Sequence, residues 1–159
     1  MGTQFRLALP VLTLLASSSF AEADPCSRPL SNGLSWWPAN GAAVDVLGPN
    51  AGTLVGGAGF APGFVGQAYT FDGIDDSVAI PFNASFDFQP PLSFSIAAWV
   101  HATPGSGDRA LIVKSPVSGS WDWGLYLNAD NAFMAGGNAR VAVTSKTIAR
   151  AGGWYHVAV

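Results

Sequence analysis

Glutamate is almost missing from this chain: among 159 residues only Glu22 carries that side chain, and charged residues of all kinds amount to 11%. Glycosidic-bond hydrolysis by paired carboxyl groups needs two acids, one holding a proton at working pH, and the proton donor is usually glutamate. Beyond Glu22 only aspartates are left for that chemistry. Asp75 and Asp76 are neighbours that point to opposite sides of an extended segment, while Asp122 and Asp130 fall on a strand and in a turn, so no glycosidase centre is expected. Histidine is scarce as well, and neither His101 nor His156 has another His, Cys or Glu at metal-ligand spacing, which excludes a common zinc site. A Ser, His and Asp triad can assemble across a sequence, but no G-x-S-x-G elbow supports one. Both histidines read as sheet-face residues. Basic side chains number seven against ten acidic ones, and the net charge of -3 offers no footprint for nucleic acid or an anionic membrane. The longest apolar run, Leu7 to Ala16, is about half of the ~20 residues that a bilayer span requires, and Pro10 interrupts it.

What the chain does have is apolar residues, at 49%, and frequent punctuation by 19 Gly and 11 Pro. The start, MGTQFR followed by LALPVLTLLA and SSSFAEA, has the layout of a secretory signal, with cleavage expected after Ala21 or Ala23. Residues 1–23 are therefore read as an export signal, 24–33 as a linker and 34–159 as one domain. Cys26, the only cysteine, cannot form an internal disulfide; it reads as half of an intermolecular bridge or a tether, with a nucleophile as the other reading.

Periodicity sets the fold class. LSFSIAAWV, residues 92–100, places Leu92, Phe94, Ile96, Ala98 and Val100 on one face and Ser93 and Ser95 on the other. Trp99 shares the serine face, so this strand is expected to be covered on both sides. Shorter runs of period two follow at 68–72, 77–82, 110–114, 121–128, 132–137, 140–145 and 154–159, separated by GID, PGSGD, PVSGS and NADN turn chemistry. No window shows helical spacing. The expectation is an all-β antiparallel sandwich. In FDGIDDSV, Gly73 suits a positive φ, and Asp72, Asp75 and Asp76 are placed to bond turn amides.

The ordered series GLSWWPANG, AVDVLGPNAGTLVGGAGF, PGFVGQAYTFDGIDDSVAIP, LSFSIAAWVHA, IVKS, WGLYLN and GGWYHVAV resembles the laminin G-like, concanavalin A-like jelly-roll domains of secreted multidomain proteins. The resemblance covers nearly everything after Gly33 and implies a jelly roll of two stacked antiparallel sheets. Domains of that kind continue past the V-A-V strand into a further hairpin and a closing strand. The domain is thus expected to lack its last strands and to belong to a longer chain.

A hard cation takes oxygen ligands, and DVLGPNAG at 45–52 supplies Asp45 and Asn50 beside freely oriented carbonyls. The resemblance implies a structural calcium near this loop in some relatives, aided by an acidic residue from the closing strand. The other reading is a turn capped by the same two side chains. For ligand recognition, Trp121 and Trp123 share a face with Leu125 and Leu127 and read as core, leaving Asp122, Tyr126 and Asn128 on the opposite face as candidate ligand-binding residues. Asn83-Ala84-Ser85 matches the N-glycosylation sequon. The function expected is that of a secreted or cell-surface, non-catalytic module binding an extracellular glycan or protein. The alternatives are a spacer domain without a small ligand and the lectin-like appendage of a larger hydrolase.

Overall fold

The alternating runs emerge as ten strands in a computed structural model that describes residues 32–88, 93–114, 122–137 and 140–159, the last segment by backbone alone as far as residue 142. Residues 1–23, read above as an export signal, and Cys26, Leu92 and Trp121 lie outside these residues. In chain order the strands are β1 (Thr53–Val55), β2 (Gly59–Pro62), β3 (Gln67–Thr70), β4 (Ser77–Ala79), β5 (Ala97–His101), β6 (Arg109–Lys114), β7 (Trp123–Leu127), β8 (Ala132–Gly137), β9 (Arg140–Ile148) and β10 (Trp154–Ala158). A 3-10 turn, Ala84–Phe86, precedes β5. Every pairing is antiparallel, and the chain is all-β, consistent with a concanavalin A-like sandwich.

Among the described residues the ladders form a four-stranded sheet, β6-β7-β8-β9, and three two-stranded pairs, β1-β4, β2-β3 and β5-β10, in place of two unbroken sheets. The expected alternation of β5 is present: Phe94, Ile96, Ala98 and Val100 are half-buried, and Ser93, Ser95, Ala97 and Trp99 are exposed. Cover on both faces is not, because Trp99 is 46% exposed and β5 pairs only with β10. Two further bonds, between the backbones of Ile96 and Val159, extend that ladder past its last assigned residues.

The core lies between the inner face of the β5-β10 pair and the four-stranded sheet. Val100, Tyr155, Val157 and Leu111 pack on Ala102, Leu127, Phe133 and Ala149, and the rings of Phe133 and Tyr155 are 5.4 Å apart. Leu125 and Leu127 are 1% and 2% exposed; burial of each contributes about 2 to 3 kcal/mol. A second aromatic cluster gathers Phe88, Phe94 and Trp123, with Phe88 stacked on Phe94 at 4.1 Å and the Trp123 indole donating to the Phe86 carbonyl at 3.2 Å. Trp123 is therefore packed, as its strand face predicts.

Three register shifts break the period of two where the sequence shows no sign of it, one in β6 and two in the β8-β9 pairing, of which one lies between Ala135 and Gly137. In β6 the register shifts between Ala110 and Ile112, so Leu111 and Ile112 both turn partly inward. In β9 the register shifts between the partners of Ala132 and Met134. There the Ser145 hydroxyl accepts from the Phe133 N–H at 3.1 Å and donates to the Thr147 carbonyl at 2.8 Å, replacing ladder bonds that the bulge removes. Ser145→Ala leaves the Phe133 amide without that acceptor and is expected to cost about 1 to 2 kcal/mol in urea denaturation, whereas Ser145→Thr, which keeps the hydroxyl, retains most of the stability. Equal losses in the two variants would show that the hydroxyl is not what closes the bulge.

Candidate functional site

Of the three residues expected to hold a ligand, Asp122 immediately precedes β7, Tyr126 lies within it and Asn128 follows it. Tyr126 is only 8% exposed, flanked by Ala110 on β6 and Met134 on β8, so it is not the open stacking ring that its strand position implied. Asp122 is committed to the Lys114 ammonium at 2.8 Å, and Lys114 also pairs with Asp87. Desolvation lowers the Lys114 pKa, but hydrogen bonds and charge attraction from Asp122 and Asp87 outweigh it and hold it above the usual lysine range. The Asn128 carboxamide oxygen accepts from the amides of Asp130 and Ala132, closing the β7-β8 turn.

Asp45 and Asn50 do come together, both buried. Asp45 Oδ1 accepts from the backbone N–H groups of Trp36 at 2.9 Å and Leu47 at 3.0 Å, and Oδ2 accepts from the Asn50 N–H at 3.3 Å. The Asn50 carboxamide donates to Ser35 Oγ at 2.8 Å and accepts from Asn83 Nδ2 at 2.6 Å, while its carbonyl accepts from the Trp37 indole at 2.7 Å. Burial pushes the Asp45 pKa up, but hydrogen bonds from Trp36, Ser35, Leu47 and Gly48 prevail and lower it to about 2. The groups facing the carboxylate are donors. A calcium ion needs oxygens there, so these residues fit a capped loop and do not fit a cation. Asn83, the sequon asparagine, is tied into the same network and also caps the 3-10 turn by accepting from the Ser85 N–H.

In the β3-β4 turn the expected Asx geometry is present: Asp72 Oδ1 accepts from the Ile74 N–H at 2.8 Å, and Asp76 accepts from the amides of Asp72 and Gly57. Their carboxylate oxygens and one from Asp75 lie within 4.8 Å of one another, a cluster whose visible partners are turn amides.

The surface with binding character is the outer face of the β5-β10 pair. Register sets Trp154 opposite His101 and His156 opposite Trp99, so two indoles and two imidazoles alternate in a checkerboard on one face. Ring centroids are 5.2 Å apart for His101 and Trp154 and 5.1 Å for Trp99 and His156. Phe64, from the β2-β3 turn, stacks on Trp99 at 4.0 Å with 19° between planes and lies 6.4 Å from Trp154; it is itself 54% exposed. That turn is held in one shape. Gly63 donates to the Gly66 carbonyl, and Asn40 Oδ1 accepts from the Gln67 N–H. Gly66 sits at φ +62, and a Cβ there would meet Asn40 Oδ1 at 2.5 Å. Sequence reasoning placed Trp99 on the face opposite Phe94 but took that face as covered. The signal that could have found the site is the two W-x-H alternations, Trp99-Val100-His101 and Trp154-Tyr155-His156, each setting one indole and one imidazole on the same side of a strand.

Among known proteins, the chain matches, over residues 71–159, the family described as the concanavalin A-like lectin/glucanases superfamily. That span begins at the β3-β4 turn and takes in both W-x-H strands. No curated protein and no solved structure matches the chain.

Removing the Asp45 carboxylate tests the capped loop. Asp45→Ala leaves the part-buried amides of Trp36 and Leu47 and the buried amide of Asn50 without an acceptor and is expected to lower stability at neutral pH by about 2 to 3 kcal/mol. Because the carboxyl is held below its unfolded value, its contribution of about 2 kcal/mol is complete above about pH 4 and is lost as pH falls toward 2. Chemical denaturation across that range should show the gap between parent and variant closing; a constant gap would mean that the charge is not what matters.

Proposed function

The chain belongs to the concanavalin A-like lectin/glucanases superfamily, and from that premise we propose that it is an exported, non-catalytic recognition module whose β5-β10 outer face holds a carbohydrate. The observation that carries the reading is the group of exposed Phe64 and Trp99 with half-buried Trp154, an imidazole standing beside each indole. Flat aromatic rings offer an apolar surface for the C–H face of a pyranose, and adjacent ring nitrogens can bond its hydroxyls.

A binding role also accounts for the carboxylates. Asp87 and Asp122 both pair with the Lys114 ammonium, which engages the two carboxylates as a salt-bridge network. Asp72, Asp75 and Asp76 bring carboxylate oxygens within 4.8 Å of one another, but Asp72 and Asp76 accept from turn amides there, and no glutamate follows Glu22. Export is supported by the basic start, short apolar run and small residues of the first 23 positions, and no helix among the described residues is long and apolar enough to cross a membrane.

Calorimetric titration with a panel of soluble polysaccharides tests the proposal. Trp99→Ala and Trp154→Ala are each expected to weaken binding by about tenfold, near the ~1.4 kcal/mol contributed by one well-placed ring contact. The unfolding midpoint of Trp99→Ala should move little, because that side chain is half exposed. Absence of binding to any glycan would leave a spacer domain as the better description.

A further inference from the structure

The same face defines which class of carbohydrate it can take, an inference that rests on the binding role proposed above. We infer that the ligand is an uncharged polysaccharide segment, held by ring stacking and imidazole hydrogen bonds, and that sulphated and uronate glycans are excluded. Recognition of an anionic chain draws on Lys and Arg clusters that pair with sulphate or carboxylate groups. From residue 34 onward the basic side chains are Arg109, Lys114, Arg140, Lys146 and Arg150 against eight aspartates: Asp45, Asp72, Asp75, Asp76, Asp87, Asp108, Asp122 and Asp130.

Two of those cations are already committed. Lys114 sits between Asp87 and Asp122, and the Arg109 guanidinium donates to the Thr103 carbonyl at 2.9 Å and to Asn131 Oδ1 at 2.6 Å. Lys146 and Arg150 are single exposed charges in different segments, one within β9 and one in the turn before β10. The platform itself carries Phe64, Trp99, Trp154, His101 and His156, with no Lys, Arg, Asp or Glu on either strand face. A sulphated chain laid on it would meet a protein of net negative charge with no guanidinium or ammonium group in the stack. A neutral chain loses nothing by that, since stacking and hydroxyl hydrogen bonds need no counter-charge.

Two indoles on diagonal positions of adjacent strands stand roughly 7 to 8 Å apart at the backbone, so more than one sugar ring can be engaged along the ledge. The segment recognised is therefore part of a chain rather than an isolated monosaccharide.

The experiment is titration of the full chain with xylan, galactan and galactomannan in one arm and with polygalacturonate and heparin in the other, each at about 20 mM and about 500 mM NaCl. Exposed ion pairs are largely screened at the higher salt and ring stacking is not. The expected result is binding to at least one neutral polysaccharide with less than about a twofold change in affinity between the two salts, and loss of about tenfold in Trp99→Ala and in the milder Trp154→Phe, His156→Ala double variant. Binding of heparin or polygalacturonate that weakens tenfold or more at high salt would overturn the inference while leaving a carbohydrate role intact. Binding to neither arm would overturn the role itself, and the inference with it.

Discussion

Antiparallel register between β5 and β10 is the constraint from which the proposed binding surface and the core both follow. With Val100 opposite Tyr155 and Ala98 opposite Val157, the aliphatic and phenolic side chains enter the interior together and meet Leu127 and Phe133. With Trp99 opposite His156 and His101 opposite Trp154, every ring of the other set is delivered to the outside. A slip of one residue on either strand would bury imidazoles among apolar side chains and expose the valines, so the stability of the interior specifies the layout of the exterior. Few sites are positioned with so little dedicated machinery: the checkerboard is a by-product of packing.

That coupling explains what was readable before the structure. Alternation in LSFSIAAWV and WYHVAV identifies both strands and sorts their side chains into two sets, because period two is a property of one strand by itself. Deciding which set faces solvent is a property of neighbours. Trp99 lies opposite Phe94 and Ile96, yet its exposure depends on what stacks above the pair, and Phe64 from a distant turn is the ring that stacks on it among the described residues. Tyr126 shows the reverse, since on the face of β7 opposite Leu125 and Leu127 it is only 8% exposed. The bulges at Leu111 and in β9 were equally invisible, because a register shift is defined against a partner strand. Local chemistry fared better: Asp72 and Asp76 bond turn amides within a few residues, as their spacing indicates.

The Asp45 network serves the first part of the domain, where strands are short and apolar burial is thin. β1 and β4 contribute three residues each, and Val44, Val46 and Leu47 around the loop are largely exposed. One carboxylate gathering amides from positions 36, 47 and 50, joined through Asn50 to Ser35 and Asn83, fixes three separated segments without needing a large apolar interior. The arrangement works only while the carboxylate is charged and its donors stay in place, since each buried amide without an acceptor is itself costly. A cation in the same spot would have to reverse the orientation of those groups.

Rigidity links the two halves. A ligand that stacks on aromatic rings gains about 0.5 to 1.5 kcal/mol per ring beyond area burial, a sum easily cancelled if the rings must first be ordered. Here that ordering is largely complete before binding. Trp99 and Trp154 are flanked across the ladder by imidazoles, and Phe64 is carried on a turn whose backbone is closed by the Gly63 to Gly66 bond and braced from outside by Asn40. Gly66 holds a positive φ with Asn40 filling the place of a side chain, which ties the turn to the loop that leads into Asp45. The donors converging on Asp45 therefore act on the aromatic ledge at one remove: they hold the segment that holds Asn40, and Asn40 fixes the turn that presents Phe64.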